Sequence, residues 1–320
     1  MYYIGVDLGG TNIAVGIVNE KFEIVKKGST PTKPERGNDP IIEDMAALAK
    51  KLVADCGLTM DDIEYAGVAT PGTANSTTGV VEYSNNIHFF KYPLAEKLSA
   101  LLDGKPVYIE NDANSAAKAE AMAGVAKGAK FSVMITLGTG VGGGVVIDNK
   151  VYSGFNFAGA ELGHIVIEND GRQCSCGRKG CWEAYSSATG LTNITKDRIL
   201  EARAAGIKTS MDDMIGGDLS KVSARTAFTA MKAGDEVAAK VVDEYISYLA
   251  YGISNIINIY HPDVLSIGGG VCNEGEYLTK PLLKKVAAET CACGSTHQTQ
   301  IKIAQLGNDA GIIGAAVLGK

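Results

Sequence analysis

The chain has 320 residues, 46% hydrophobic and 21% charged, which excludes a disordered polymer. Thirty basic against 36 acidic side chains leave a net charge of −6, which argues against broad binding to nucleic acid or anionic membrane. No apolar run reaches the ~20 residues of a membrane-spanning helix. The first residues lack the basic and apolar regions of a signal peptide, so a cytoplasmic protein is expected.

In chain order, the apolar run Tyr2 to Val6 predicts a strand. A turn follows at Asp7-Leu8-Gly9-Gly10-Thr11-Asn12, and Ile13 to Val18 resumes as a strand. The polar stretch Ser29 to Pro40 reads as a loop. Asp39-Pro40 then opens a helix, with Asp as cap and Pro at the first position. Its apolar face is Ile42, Met45, Leu48, Ala49 and Leu52. Ile63 to Ala69 predicts a strand, Leu94 to Leu102 a helix, and Val107 to Glu110 a strand entering a helix near Asp112.

The opening theme then returns. Phe131 to Leu137 is a strand, 138–144 a glycine turn, and Val145 to Ile147 a strand, so two glycine hairpins at equivalent points predict a duplicated domain. Ser223 to Lys232, Asp235 to Tyr260 and Asn308 to Leu318 read as helices, and Asp263 to Ile267 as a buried strand ending in Gly268-Gly269-Gly270. Strands alternating with helices predict an α/β fold.

Glycine turns let backbone amides approach an anion, and three of them shift the reading from plain hairpins toward phosphate binding. No Walker A sequence is present. Gly138, Gly140 and Gly143 satisfy the dinucleotide pattern G-x-G-x-x-G, but that pattern must open a helix, and Val145-Val146-Ile147 reads as a strand. Strand–turn–strand hairpins in two halves resemble the actin, Hsp70 and sugar kinase superfamily. That resemblance implies two ribonuclease-H-like halves around a nucleotide cleft, with Asp7 holding Mg²⁺.

Seven cysteines are present, three of them crowded at Cys174, Cys176 and Cys181. With His164 they form a Cys₃His set of the kind structural Zn²⁺ takes, and the glycines at 171, 177 and 180 let the chain curl around an ion. No role is read for Cys56, Cys272, Cys291 or Cys293.

Asp7-Leu8-Gly9-Gly10-Thr11-Asn12, Glu110-Asn111-Asp112-Ala113-Asn114, Leu137-Gly138-Thr139-Gly140-Val141-Gly142-Gly143-Gly144, Glu161-Leu162-Gly163-His164 and the cysteine run together resemble the ROK family of kinases, open reading frames and repressors. Members with this full set are mostly glucokinases. The resemblance implies an ATP-dependent hexose kinase, glucokinase first, making a sugar 6-phosphate. It makes Asp112 the base. Gly72, Asn86, Asn111, Asp112, Glu161, His164 and Glu183 would bind sugar.

For the nucleotide, the resemblance implies Asp7, Gly9, Gly10, Thr11, Asn12, Gly138, Thr139, Gly140, Gly269 and Gly270. ATP with Mg²⁺ and a structural Zn²⁺ on His164, Cys174, Cys176 and Cys181 are the cofactors it implies, and a homodimer the assembly. The domains expected are 1–114 plus 305–320, and 115–304 with the zinc site. Family repressors carry an N-terminal helix-turn-helix, for which the strand at residue 2 leaves no room. Two other classes stay open. One is a non-catalytic sugar sensor, opposed by Asp112. The other is a dinucleotide oxidoreductase, opposed by the strand after Gly144.

Overall fold

The two glycine hairpins anchor two five-stranded sheets in a computed structural model that describes residues 1–291 and 294–320. Cys293 lies outside the described residues. The strands are β1 (Tyr2–Leu8), β2 (Asn12–Asn19), β3 (Ile24–Pro31), β4 (Ile63–Thr70), β5 (Thr73–Asn75), β6 (Val80–Tyr83), β7 (Phe90–Tyr92), β8 (Val107–Asn111), β9 (Phe131–Leu137), β10 (Val141–Ile147), β11 (Lys150–Val151), β12 (Val264–Gly268) and β13 (Gln300–Ile303). The helices are α1 (Asn38–Asp55), α2 (Leu94–Leu101), α3 (Asp112–Ala123), α4 (Glu183–Ser186), α5 (Ala188–Ala204), α6 (Ser210–Ile215), α7 (Thr226–Lys232), α8 (Glu236–Tyr260), α9 (Glu276–Glu289) and α10 (Ala310–Ala316).

The strand orders are β3-β2-β1-β4-β8 and β11-β10-β9-β12-β13. Each sheet lays out its strands, in chain order, as third, second, first, fourth, fifth. In the first sheet β1 pairs antiparallel with β2 and parallel with β4, and β4 pairs parallel with β8. The second repeats this at its edges, antiparallel between β10 and β11 and parallel between β12 and β13. The duplication read from the hairpins is therefore present as repeated topology.

Contacts divide the described residues into two units. The first holds 1–134, 144–160 and 304–320. Its core sets Ile4, Val6, Leu8, Ile13, Val15 and Ile17 against Ile42, Met45, Ala49 and Leu52 of α1, all buried, as helical spacing requires. Leu48 is partly buried at the edge of that core.

On its other side, α10 packs backbone to backbone. A Cβ on Gly5 of β1 would overlap the Ile312 carbonyl, one on Gly67 of β4 the Ala315 carbonyl, and one on Gly314 the Ser115 carbonyl of α3. The buried Glu120 carboxylate fixes the chain's return. It accepts the amides of Gln305 and Leu306 at 2.8 Å each and that of Val125 at 2.9 Å.

Several boundaries differ from the expectation. β1 continues through Asp7 and Leu8, which leaves only Gly9 to Thr11 as the first turn. Ser29 to Pro31 belong to β3, paired with β2, so the loop begins later. Asp39 does not cap α1. Gly37, at φ 91°, precedes the helix, and the Asp39 carboxylate accepts the Tyr92 hydroxyl (2.5 Å) and the Lys97 ammonium (2.6 Å). The last helix is shorter than read and spans Ala310–Ala316.

The second unit holds 135–143 and 161–303. α8 runs 25 residues from its cap Asp235, whose carboxylate accepts the Ala238 amide at 2.9 Å. The fully buried Trp182 packs against Gly252 of α8 and donates its indole N–H to the Tyr248 carbonyl (3.0 Å). The helix expected from Ser223 begins at Thr226. Gly142 to Gly144 are strand, not turn. Glycine there reflects crowding: a side chain on Gly143 would meet Leu162. Cys56, Cys272 and Cys291 are free thiols, half-buried, buried and exposed respectively.

Candidate active site

In the first unit the site residues lie at the ends of β1 and β8 and in the turn between β1 and β2. Asp7 is the penultimate residue of β1, and Gly311 covers its carboxylate so closely that a Cβ there would overlap Oδ2. Burial first, and then the negative charge of Asp112, push the Asp7 carboxyl up to about 6. The turn beside it is pinned at both ends. The Gly9 amide donates to the Asn12 carbonyl (2.9 Å), and the Thr32 hydroxyl donates to the Gly9 carbonyl (2.6 Å). Thr11 and Asn12 stay exposed. Asn86 lies against Gly10, its Cβ 3.3 Å from where a Gly10 Cβ would stand.

Asn111 and Asp112 divide the work at the start of α3. The Asn111 amide oxygen accepts the backbone amides of Ala113 (3.0 Å) and Asn114 (3.2 Å), so Asn111 is the cap. Its amide nitrogen donates to the Gly72 carbonyl at 3.1 Å. Gly72 has φ 91°, and a Cβ there would overlap the Tyr83 carbonyl.

Asp112 is therefore the first helical residue and not the cap. It accepts the adjacent Ala113 amide (2.8 Å), and solvent reaches its side chain. Enclosure by protein raises its carboxyl above the usual range. Hydrogen bonds from Ala113 and from the Asn111 side chain act in the opposite sense. The buried Glu110 holds the start of the helix, accepting the Asn111 amide (2.9 Å) and the Asn114 side chain (3.1 Å). Its supporting role had no signal in the sequence beyond adjacency.

In the second unit the glycine turn is Gly138 to Gly140, closed by the Gly138 amide on the Gly140 carbonyl (3.0 Å). Gly269, at φ 99°, lies against Leu137 at the end of β9 so closely that a Cβ would overlap its carbonyl, and Gly270 begins the next turn. This puts the second and third glycine turns side by side.

The cysteine loop is shaped by bridges between Val166 and Cys181 and between Gln173 and Lys179, with Gly177 and Gly180 at φ 88° and 76°. It gathers His164, Cys174, Cys176 and Cys181 with ligand atoms all within 4.8 Å of one another. His164 Nδ1 lies 3.7 Å from Cys174 Sγ, and the sulfurs of Cys176 and Cys181 are 3.6 Å apart. Tetrahedral thiolates around Zn²⁺ at about 2.3 Å stand about 3.8 Å apart, so the set fits that ion.

Glu161 directly precedes the short turn Leu162–His164 that presents the imidazole. Glu183, two residues after Cys181, opens α4. The carboxylate of Glu183 accepts the Val141 amide (3.0 Å) and the Ser175 hydroxyl (3.0 Å), bonds that no local spacing announces. Among the described residues no helix is long and apolar enough to cross a membrane.

Residues 3–320 match the sequence profile described as the ROK family. The glucokinase of Halalkalibacterium halodurans is 36% identical over 323 residues, covering 100% of this chain and 95% of that protein. The N-acetyl-D-glucosamine kinase of Aliivibrio fischeri is 31% identical over 328 residues, covering 99% of each. A ROK family glucokinase from Streptomyces griseus, solved in complex with glucose and AMPPNP, is 32% identical with a TM-score of 0.78, covering 99% of each chain.

Proposed function

The chain belongs to the ROK family, and we propose that it is a glucokinase that transfers the γ-phosphoryl group of ATP to the 6-hydroxyl of glucose. The observation that carries the reading is the division of labour at α3. Asn111 does the capping, so the neighbouring Asp112 carboxylate is left open to solvent with its affinity for a proton raised. A base poised in this way suits a hydroxyl that must lose its proton as it attacks.

Phosphoryl transfer asks mainly for positioning and charge neutralisation. In this reading Asp112 takes the 6-hydroxyl proton. Asn86, Asn111, Glu161, His164 and Glu183, with backbone at Gly72, hold the other hydroxyls through amide, imidazole and carboxylate groups that both fix and orient them. Gly9, Gly10, Thr11, Asn12, Gly138, Thr139 and Gly140 approach the phosphates, and Gly269 and Gly270 the adenosine.

Mg²⁺ fits the end of β1, where Asp7 offers a hard oxygen ligand beside the second negative charge of Asp112. When bound there it would neutralise phosphate charge. Zn²⁺ fits the Cys₃His set, where it would hold the loop and orient His164 through Nδ1, leaving Nε2 for the sugar. The proposal includes a homodimer in the cytoplasm, working in glucose breakdown.

A coupled ADP-release assay across glucose, mannose, fructose, allose, N-acetylmannosamine and N-acetylglucosamine tests the reading. Glucose is expected to give the highest kcat/KM. Flat rates on all six would overturn the kinase reading, and a different leading sugar would reassign the substrate.

A further inference from the structure

Glu183 joins two features that the proposed function treats separately. One carboxylate oxygen accepts the amide of Val141, the residue that follows the glycine turn. The other accepts the hydroxyl of Ser175, which stands between the candidate metal ligands Cys174 and Cys176. Gly140 presses on the same carboxylate, and a methyl group in its place would overlap Oε2.

The residues after α4 complete the attachment. The Ala188 amide donates to the Gly138 carbonyl (2.9 Å), and the Thr189 hydroxyl donates to the Thr139 carbonyl (2.8 Å). The three backbone positions from 138 to 141 that take these bonds are thus held from one short stretch of chain. That stretch starts two residues beyond Cys181 and is anchored by the buried Trp182. A carboxylate bonded to a backbone amide is charge-assisted, and such bonds are among the stronger and more directional a protein makes. A carboxylate kept only for sugar has no need of it. Each oxygen carries two lone pairs, so a sugar hydroxyl can still be accepted.

We propose that Glu183 is a positioning residue for the nucleotide: it fixes the turn 138–141 to the cysteine–histidine loop, so that a metal ion in the loop sets the affinity for the polyphosphate of ATP. This rests on the reading of that turn as a phosphate site. A loop without its ion loses the shape that holds Ser175 and Glu183 in place. The turn then keeps its sequence and loses its brace.

The test measures binding of a non-hydrolysable ATP analogue by calorimetry, without sugar, with zinc content determined on each sample. Glu183→Ala removes both bonds, and with them the 3.6 Å contact from Cys174 Sγ, and is expected to weaken binding about tenfold or more, the equivalent of about one hydrogen bond. Glu183→Gln keeps an acceptor for Val141 and a donor for Ser175, so it should bind within about threefold of the unaltered protein. Ser175→Ala leaves every candidate metal ligand in place and should weaken binding about two- to fivefold, which keeps the test open if Glu183→Ala fails to fold. Protein stripped of zinc by chelation should show the loss seen with Glu183→Ala.

Two results overturn the inference. One is tight binding by Glu183→Ala and by the stripped protein. The other is equal impairment of the Ala and Gln variants, which would make charge and not geometry the cause. Gly138→Asp separates this from failure of the underlying reading. Nothing lies within 4 Å of a Cβ at Gly138, so the side chain is accommodated while its charge repels phosphate. If that variant binds the analogue normally, the turn is not a phosphate site and the inference falls with it. If it loses binding while Glu183→Ala does not, the inference alone falls.

Discussion

The two glycine hairpins share a strand order and differ in what braces them. The first, β1 to β2, carries Asp7 one residue before the Leu8-Gly9 step. The second, β9 to β10, carries the neutral Thr136 one residue before Leu137-Gly138. The first is packed from behind by α10, where Gly5 of β1 and Gly67 of β4 let backbone meet backbone. The second is held by a side chain, that of Glu183 at the start of α4. In the proposed reading the amides of both turns approach phosphate, and the Asp7 carboxylate behind the first adds a ligand for a cation that the second lacks.

The sharpest way to break this comparison is to remove Asp112, the base proposed for the first unit. Asp112→Asn should leave glucose binding by calorimetry nearly intact while turnover falls about 10²–10⁴-fold, the usual worth of a general base. Turnover within about threefold of the original would show that Asp112 is not the base.

The brace of the first hairpin can be tested next. Gly311→Ala puts a methyl group where the Asp7 carboxylate lies. Misplacing a functional group by about an ångström costs on the order of 10²-fold, so kcat should drop by about that much, and the Mg²⁺ concentration for half-maximal rate should rise. A variant with unchanged Mg²⁺ dependence would detach α10 from the function of Asp7.

For the second hairpin, elemental analysis of protein purified without chelator should give one Zn²⁺ per chain. Its removal should unfold the segment 161–183, read as a loss of protection in amide exchange confined to that segment. A metal-free preparation with full protection and full activity would remove zinc from the comparison.

The smallest expected effect is on stability. The Asp7 carboxyl binds its proton more tightly in the folded chain, at about 6 against 3.8 for the unperturbed group. Folding is therefore penalised as pH rises from 3.8 through about 6, and the penalty is complete above that. Asp7→Asn removes it, by about 1–3 kcal/mol at pH 8. The variant should melt higher than the unaltered protein at pH 8, and the gap should narrow at pH 5. A gap that is constant or reversed would place Asp7 in an ordinary solvated setting.

Much of the fold was legible because its signals are local. Apolar runs ending in Gly9-Gly10 and Gly138-Thr139-Gly140 announce the hairpins, and the spacing of Cys174, Cys176 and Cys181 announces the cluster with His164. Asn111 and Asp112 show where local signals stop. Either residue caps helices well, and the choice is made by the Gly72 carbonyl, 39 positions away, which takes the other end of the Asn111 amide. Glycine also misleads: Gly142 to Gly144 announce a turn and are instead strand, where Gly143 and Gly144 let β10 pass close to its neighbours. The bond of Glu183 to Val141 and the place of Gly311 over Asp7 come from tertiary packing, which no window of sequence contains.

The place of α10 in the chain also orders events in time. The first unit is discontinuous, closed by residues 304–320, and the long segment 161–303 belongs to the other unit. Asp7 and Asp112 emerge early in synthesis, but the helix that packs on both of their elements arrives about two hundred residues later. Closure of the first unit therefore carries the entropy cost of a very long loop unless the intervening segment has already folded and drawn its ends together. The second unit, nearly continuous in sequence, is expected to fold first, and the paired carboxylates to assume their final spacing only as the last helix docks.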